Sequence, residues 1–266
     1  MKISSLVVAT AFSYLSLGLS AQAAVLVYEP FDYTAGAGAL NGTNGGTGFG
    51  GAWAGNGSVV SPGFNYPGLL TMGNRAATSG NGANFRSLGS VFGSGTVYYS
   101  LLLQVENAGS TGGYSGFSLF SDEFEILFLG SRGNAGDLLG LERSGNGQNG
   151  NTTATVSTVT FAVVKIEFNA GTTAGNERVS LFANPIGNVE PSTPSLLLND
   201  VTNFSFNRIR VDSGRFSGAD PTQILNVDEF KVGQAFADVS AVPEPSTIGL
   251  LGLTTVGIAA LRRRRA

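Results

Sequence analysis

Residues 160–185, TFAVVKIEFNAGTTAGNERVSLFANP, decide the fold of this chain. Ala162, Val164, Ile166 and Phe168 alternate with Lys165, Glu167 and Asn169, a period of two that suits a half-buried strand and not a helix. The Gly- and Asn-bearing segment that follows is turn chemistry. Glu177–Ala183 then resumes the alternation through Val179, Leu181 and Ala183.

The same period runs outward in both directions. In Thr96–Glu106, Val97, Tyr99, Leu101, Leu103 and Val105 fall on one face. Further strands are expected at Leu26–Phe31, Gly116–Phe120, Phe124–Leu129, Leu138–Glu142, Phe204–Asp212 and Ile224–Val232. The last two change phase partway, Phe204/Phe206 giving way to Ile209/Val211 and Leu225/Val227 to Phe230/Val232, as a β-bulge in each would require. Glycine, Asn, Ser and Thr clusters at Gly36–Ser58, Thr78–Asn84, Asn107–Gly113 and Gly145–Thr153 read as connections. No stretch between the chain ends offers an amphipathic helix beyond a turn or two, and no long repeat is present. Nine or more short strands with such turns predict an all-β, two-sheet antiparallel sandwich.

The two ends follow different rules. Lys2, an uncharged run from Ile3 to Leu19, and small residues at Ala21 and Ala23 make residues 1–23 a cleavable export signal. At the other end, Pro243-Glu244-Pro245 precedes fifteen uncharged residues, Thr247–Leu261, and then Arg262, Arg263, Arg264 and Arg265. The prolines keep their segment out of helix and sheet and leave it open to a processing enzyme. As a helix the apolar run would reach about 22 Å, short of the ~30 Å hydrocarbon core, so it predicts a short transmembrane helix that needs thinning or snorkelling. The arginines place its end in the cytoplasm, which leaves the rest of the chain outside. The sequence thus divides into a signal at 1–23, a sandwich at 24–238 and a tail at 239–266.

Pro-Glu-Pro, a short Gly- and Ala-bearing apolar run and a terminal Arg cluster resemble the PEP-CTERM sorting domain of exopolysaccharide-producing Gram-negative bacteria. The resemblance implies recognition by an exosortase, a membrane-embedded cysteine transpeptidase that removes the tail. It further implies a transient stay in the inner membrane, then the cell envelope or extracellular matrix, with extracellular polysaccharide as a partner. Residues 163–185, Phe206–Arg210, Val227–Gly233 and the opening Tyr28–Tyr33 are similar to strands of concanavalin-like, laminin-G-like jelly rolls in exported proteins of this kind. That likeness implies a jelly-roll body.

Composition narrows the chemistry. With no His and no Cys among 266 residues, the chain has no thiol nucleophile, no Ser-His-Asp triad, no disulfide framework and few routes to a metal site. Between the two signals 17 acidic residues face 10 basic ones, net −7, and the scattered cations offer no footprint for nucleic acid. Glu123 and Glu125, two apart on one strand, raise the carboxylate pair of a glycoside hydrolase, which in retaining enzymes stands about 5–5.5 Å apart. Leu127 and Leu129 take the next same-side positions and no aromatic cluster surrounds the pair, so a solvated strand face is the expectation. Asp212, Asp220, Asp228 and Glu229 could supply oxygen ligands for calcium, but their spacing fits no established loop and aspartates at strand ends serve turns. Arg208, Arg210 and Arg215 are expected to partner nearby acids. Trp53, Phe49, Phe64 and Tyr66 either form a sugar-stacking platform, with Trp53 and Tyr66 as the binding residues, or plug one end of the core. No catalytic residue is assigned: the expectation is a non-enzymatic envelope or matrix protein, with a lectin-like module as the alternative and a glycoside hydrolase third.

Overall fold

The computed structural model describes residues 24–80, 82–108, 113–133, 136–215 and 222–240. Ala21, Ala23, Asp220, Pro243, Glu244, Pro245 and Arg262–Arg265 lie outside these, as do the expected signal and transmembrane segments. Two antiparallel sheets pack face to face. The first holds β1 (Val27–Glu29), β2 (Ser58–Val60), β3 (Arg75–Ser79), β5 (Thr96–Glu106), β10 (Thr160–Glu167), β11 (Glu177–Ala183), β12 (Leu196–Val201) and β14 (Ile224–Gly233). Its order is β12-β11-β10-β5-β14-β3-β2, with β1 also paired to β14. The second holds β4 (Ala83–Phe92), β6 (Tyr114–Ser121), β7 (Phe124–Ser131), β8 (Leu138–Arg143), β9 (Asn149–Thr155) and β13 (Phe206–Arg215), in the order β4-β13-β6-β7-β8-β9. The chain changes sheet between β3 and β4, β4 and β5, β5 and β6, β9 and β10, β12 and β13, and β13 and β14, the interleaving of a jelly roll.

The hairpin read from residues 160–185 forms with Ala162 opposite Ala183 and Val164 opposite Leu181, and β10 pairs on its other edge with β5. Val97, Tyr99, Leu101, Leu103 and Val105 of β5 face Phe117, Leu119, Leu127 and Leu129 of the second sheet across the main core. Both expected phase changes are present. Register shifts lie between Phe206 and Arg208 in β13 and between Asp228 and Lys231 in β14, where Glu229 takes a φ of 52°.

A second apolar layer covers the outer face of the first sheet. Tyr98, Leu102, Phe161, Val163 and Phe182 point away from the main core and are covered by Phe64, Phe236 and Val239. Phe236 and Val239 belong to a one-turn helix, α1 (Phe236–Ser240), tied down by a hydrogen bond from Ser100 Oγ to the Val239 carbonyl, 2.8 Å. The sandwich therefore continues through Ser240, two residues past the expected boundary at 238, because these last side chains are buried.

At one end of the core a charge pair joins the sheets. Glu29 of β1 meets Arg86 of β4, both fully buried. The same carboxylate accepts hydrogen bonds from Trp53 Nε1 (2.9 Å), the Tyr33 hydroxyl (2.8 Å) and the Phe31 amide (2.9 Å). The Arg86 guanidinium also lies 3.7 Å from the Phe49 ring centroid. Giving both carboxylate oxygens partners in this way is what lets a buried charge pair persist.

Candidate functional site

Among the described residues the outer face of the second sheet carries no apolar cluster like that on the first, and its side chains form a mixed charged and aromatic layer. The phase shift in β13 sets it up. With Ile209 and Val211 turned into the core, Arg208, Arg210 and Asp212 stand in a row on the opposite face of the sheet, where Arg210 and Asp212 are themselves buried. A second bulge, in β7, brings a carboxylate to meet them. Leu119 pairs with Leu127 but Phe120 pairs with Glu125, so Ile126 is the extra residue. Glu125 therefore faces outward while Leu127 and Leu129 face the core, which corrects the expectation that all three share one side.

Arg210 reaches Glu125 at 2.6 Å and Asp212 at 3.1 Å, and Glu125 also accepts the Ser118 hydroxyl at 2.6 Å. Across the sheet Glu142 of β8 accepts from Arg132 Nε at 3.0 Å and from the Tyr114 hydroxyl at 3.1 Å. The Tyr114 ring meets Phe128 edge-on, 5.3 Å between centroids, and Arg210 stacks 4.8 Å above Phe120. Burial and then the neighbouring Glu142 hold the Tyr114 hydroxyl above its usual pKa, so it stays a neutral donor. Together Tyr114, Glu125, Phe128, Glu142 and Arg210 line a groove of about 300 Å3. Two residues back along β13, Arg208 pairs with Glu123 at 2.6 Å and stacks over Phe85 at 4.3 Å. It lines a second, more open depression with Asp122, Asn207 and Ser87. Glu123 and Glu125 thus belong to two hollows, each bound to its own arginine, and do not form a carboxylate pair. The two carboxylates that do share a groove are Glu125 and Glu142. Glu142 went unnoticed in the sequence because its partner lies on another strand.

The other sequence candidates are dispersed. Trp53 is only 2% exposed and its indole N–H is committed to Glu29, so it plugs the core and presents no face to a ligand. Phe64 packs on the first sheet and Phe49 sits beneath Arg86, so the expected aromatic platform does not assemble. Tyr66 is half-buried against Phe161, its hydroxyl donating to Asn184 at 2.9 Å. The carboxylates considered for calcium are likewise apart. Asp212 pairs with Arg210 on the second sheet, whereas Asp228 accepts the Phe64 and Glu229 amides, each at 2.8 Å. Burial pushes the Asp228 pKa up to about 8. Glu229 accepts the Tyr28 hydroxyl and the Met72 amide and pairs with Lys231 at 3.2 Å. Among the described residues no three acidic side chains converge as a metal site requires. Among them, too, no helix is long and apolar enough to cross a membrane.

Comparison with known proteins finds one sequence motif at the C-terminal end and a set of distantly similar solved structures. The PEP-CTERM protein-sorting motif matches residues 241–265. No curated protein matches the chain. Among solved structures the chain is similar to one of botulinum neurotoxin type C, whose cell entry depends on interaction with two ganglioside molecules, at 12% identity and a TM-score of 0.48 over 84% of this chain and 51% of that one. It is also similar to the serotype D ligand-binding domain in complex with N-acetylneuraminic acid, at 12% identity and a TM-score of 0.47 over 79% and 50%. The metal-free Emp46p carbohydrate recognition domain is similar at 12% identity and a TM-score of 0.41 over 69% and 88%. The chain spans about half the length of the neurotoxin chains it resembles. A two-sheet antiparallel jelly roll runs directly into a PEP-CTERM sorting motif, which implies an exported protein, sorted to the envelope, with an exosortase as its processing partner.

Proposed function

We propose that this protein is delivered to the cell envelope or extracellular matrix through its C-terminal motif, and that its sandwich is a non-enzymatic module that binds extracellular polysaccharide. The sorting half rests on the motif at residues 241–265. The binding half rests on one observation, the open groove on the second sheet where Tyr114, Glu125, Glu142 and Arg210 gather donors and acceptors around an aromatic edge. A sugar ring offers hydroxyls for such groups and C–H faces for the aromatic. Glu125 and Glu142 are each already engaged by an arginine and a hydroxyl, which makes them a fixed polar floor suited to orienting a ligand.

Two experiments test the two halves. Intact mass of the protein from hosts with and without an exosortase should give a chain ending near Pro243–Pro245 only in the first. An unprocessed chain ending at Ala266 in both would reject the sorting reading. Binding of the full chain to the host's purified matrix polysaccharide should weaken about tenfold in Glu125→Gln, the scale of one charge-assisted hydrogen bond. Equal retention of both proteins, or depolymerisation of the polysaccharide by the wild type, would reject the module as drawn; the second result would favour a hydrolase using Glu125 and Glu142.

A further inference from the structure

Among the described residues, four of the nine exposed large apolar side chains lie on two loops that border the point where the chain leaves the sandwich. Ser240, the last described residue, lines a hollow of about 440 Å3 together with Tyr66, Leu69, Phe161, Pro185 and Ile186. Two loops form its rim. Residues 61–73 contain no charged side chain and expose Leu70 and Met72, while residues 184–189, also uncharged, expose Ile186 at 95% and Val189 at 75%. Folding gains nothing by leaving such side chains in water, and exposed apolar tips on two loops that share one hollow point to an interaction surface.

The tether says which surface. Only residues 241–246 separate Ser240 from the fifteen-residue uncharged run at 247–261. Fully extended, six residues reach about 20 Å, roughly half the diameter of a body this long. If the run is in the bilayer, as the sorting reading on which this inference rests requires, the face carrying Ser240 is held at the lipid surface and the opposite end of the sandwich cannot be. We infer that, before processing, the body lies on the bilayer through this face, with Leu70, Met72, Ile186 and Val189 inserted at the headgroup–acyl boundary and Tyr66 beside them. Neither loop carries a Lys or Arg, so the contact is apolar and independent of anionic lipid, unlike that of a basic amphipathic surface.

Since the chain has no cysteine, a single Ile186→Cys variant of the full protein can carry an environment-sensitive fluorophore, with Phe124→Cys as the control. Phe124 is apolar and 75% exposed but opens β7 in the other sheet. The proteins are reconstituted into phosphatidylcholine vesicles with or without lipid bearing a nitroxide in the upper acyl chain, and flotation measures incorporation. Emission of the single Trp, buried at position 53, reports that each variant is folded. The expected result is loss of about half the emission or more at 186 and almost none at 124, unchanged when phosphatidylglycerol replaces a third of the lipid. Flotation without quenching at 186 overturns the docking face and leaves the anchor intact. Equal quenching at both positions, or quenching only with anionic lipid, overturns it as well. Failure to float removes the anchor reading and the inference together.

Discussion

Asp228 is the buried group whose titration should dominate stability near neutral pH. Desolvation raises its pKa from 3.8 to about 8, against the pull of the Phe64 and Glu229 amides that would favour the ion. Between these two values the unfolded chain has released a proton that the folded chain still holds. Stability therefore falls as pH rises, by about 1.4 kcal/mol per unit, and levels off once the folded carboxyl also ionises near pH 8. From pH 5 to pH 8 the loss is about 4 kcal/mol, a large share of a typical domain's 5–15 kcal/mol. Asp228→Asn keeps the shape and fixes the neutral state, so it should remove that slope. The gap between variant and wild type should move by about 4 kcal/mol in the variant's favour over the same range. Urea unfolding of the full chain in mild detergent, followed through the emission of the only tryptophan, measures both profiles. Parallel profiles would refute the reasoning and mean that the two amide donors hold Asp228 ionised throughout.

Other perturbations separate the remaining parts of the structure. Arg86→Met strips the buried Glu29 of its counter-ion and should cost about 3–5 kcal/mol in the same urea assay; a loss under 1 kcal/mol would mean the Trp53 and Tyr33 donors suffice. Gly130→Ala meets a φ of 152° and puts a Cβ 2.4 Å from the Ser115 carbonyl oxygen, so a loss of about 1–3 kcal/mol is expected. Gly136→Ala, at φ 64° with open space around it, should lose about 1 kcal/mol, and the difference between the two midpoints checks the crowding argument. Replacing Pro243 and Pro245 together by Ala should leave the chain uncut in an exosortase host by intact mass, whereas continued cutting would show that the extended backbone is dispensable.

The sandwich was legible wherever polar or charged residues alternate with core residues along a strand, because that alternation shows in the sequence whether or not the polar side reaches water. The hairpin at 160–185 and the phase changes in β13 and β14 are of that kind. Strands β2, β3, β4, β9 and β12 were not seen, since Arg75–Ser79 and Asn149–Thr155 are short, small-residue and polar and read as turns. The second apolar layer was also hidden. The 61–73 loop and α1 carry too little pattern to announce what they cover, although Phe64 and Phe236 do the covering. Of the candidate groove, Glu125 and Arg210 were singled out, but the residues completing it come from separate strands. Tyr114 and Glu142 stand 28 positions apart and only strand order brings them together. The Ile126 bulge went unpredicted because Phe124–Leu129 can be read in either phase, and that single residue decides whether Glu125 faces Arg210.

The slip in β13 has a consequence for how this region can change over generations. The inward positions step by three and not by two from Phe206 to Ile209, so the strand is read in one frame before the slip and in another after it. Losing a residue at the slip itself would only restore strict alternation and keep Arg208, Arg210 and Asp212 opposite Ile209 and Val211. Losing one from the regular stretch beyond it, Arg210 for example, would send Asp212 toward the interior and bring Val211 out into water. Length polymorphism should therefore be tolerated at the slip and purged from Ile209 to Asp212, while the Gly- and Asn-rich connections nearby absorb insertions freely.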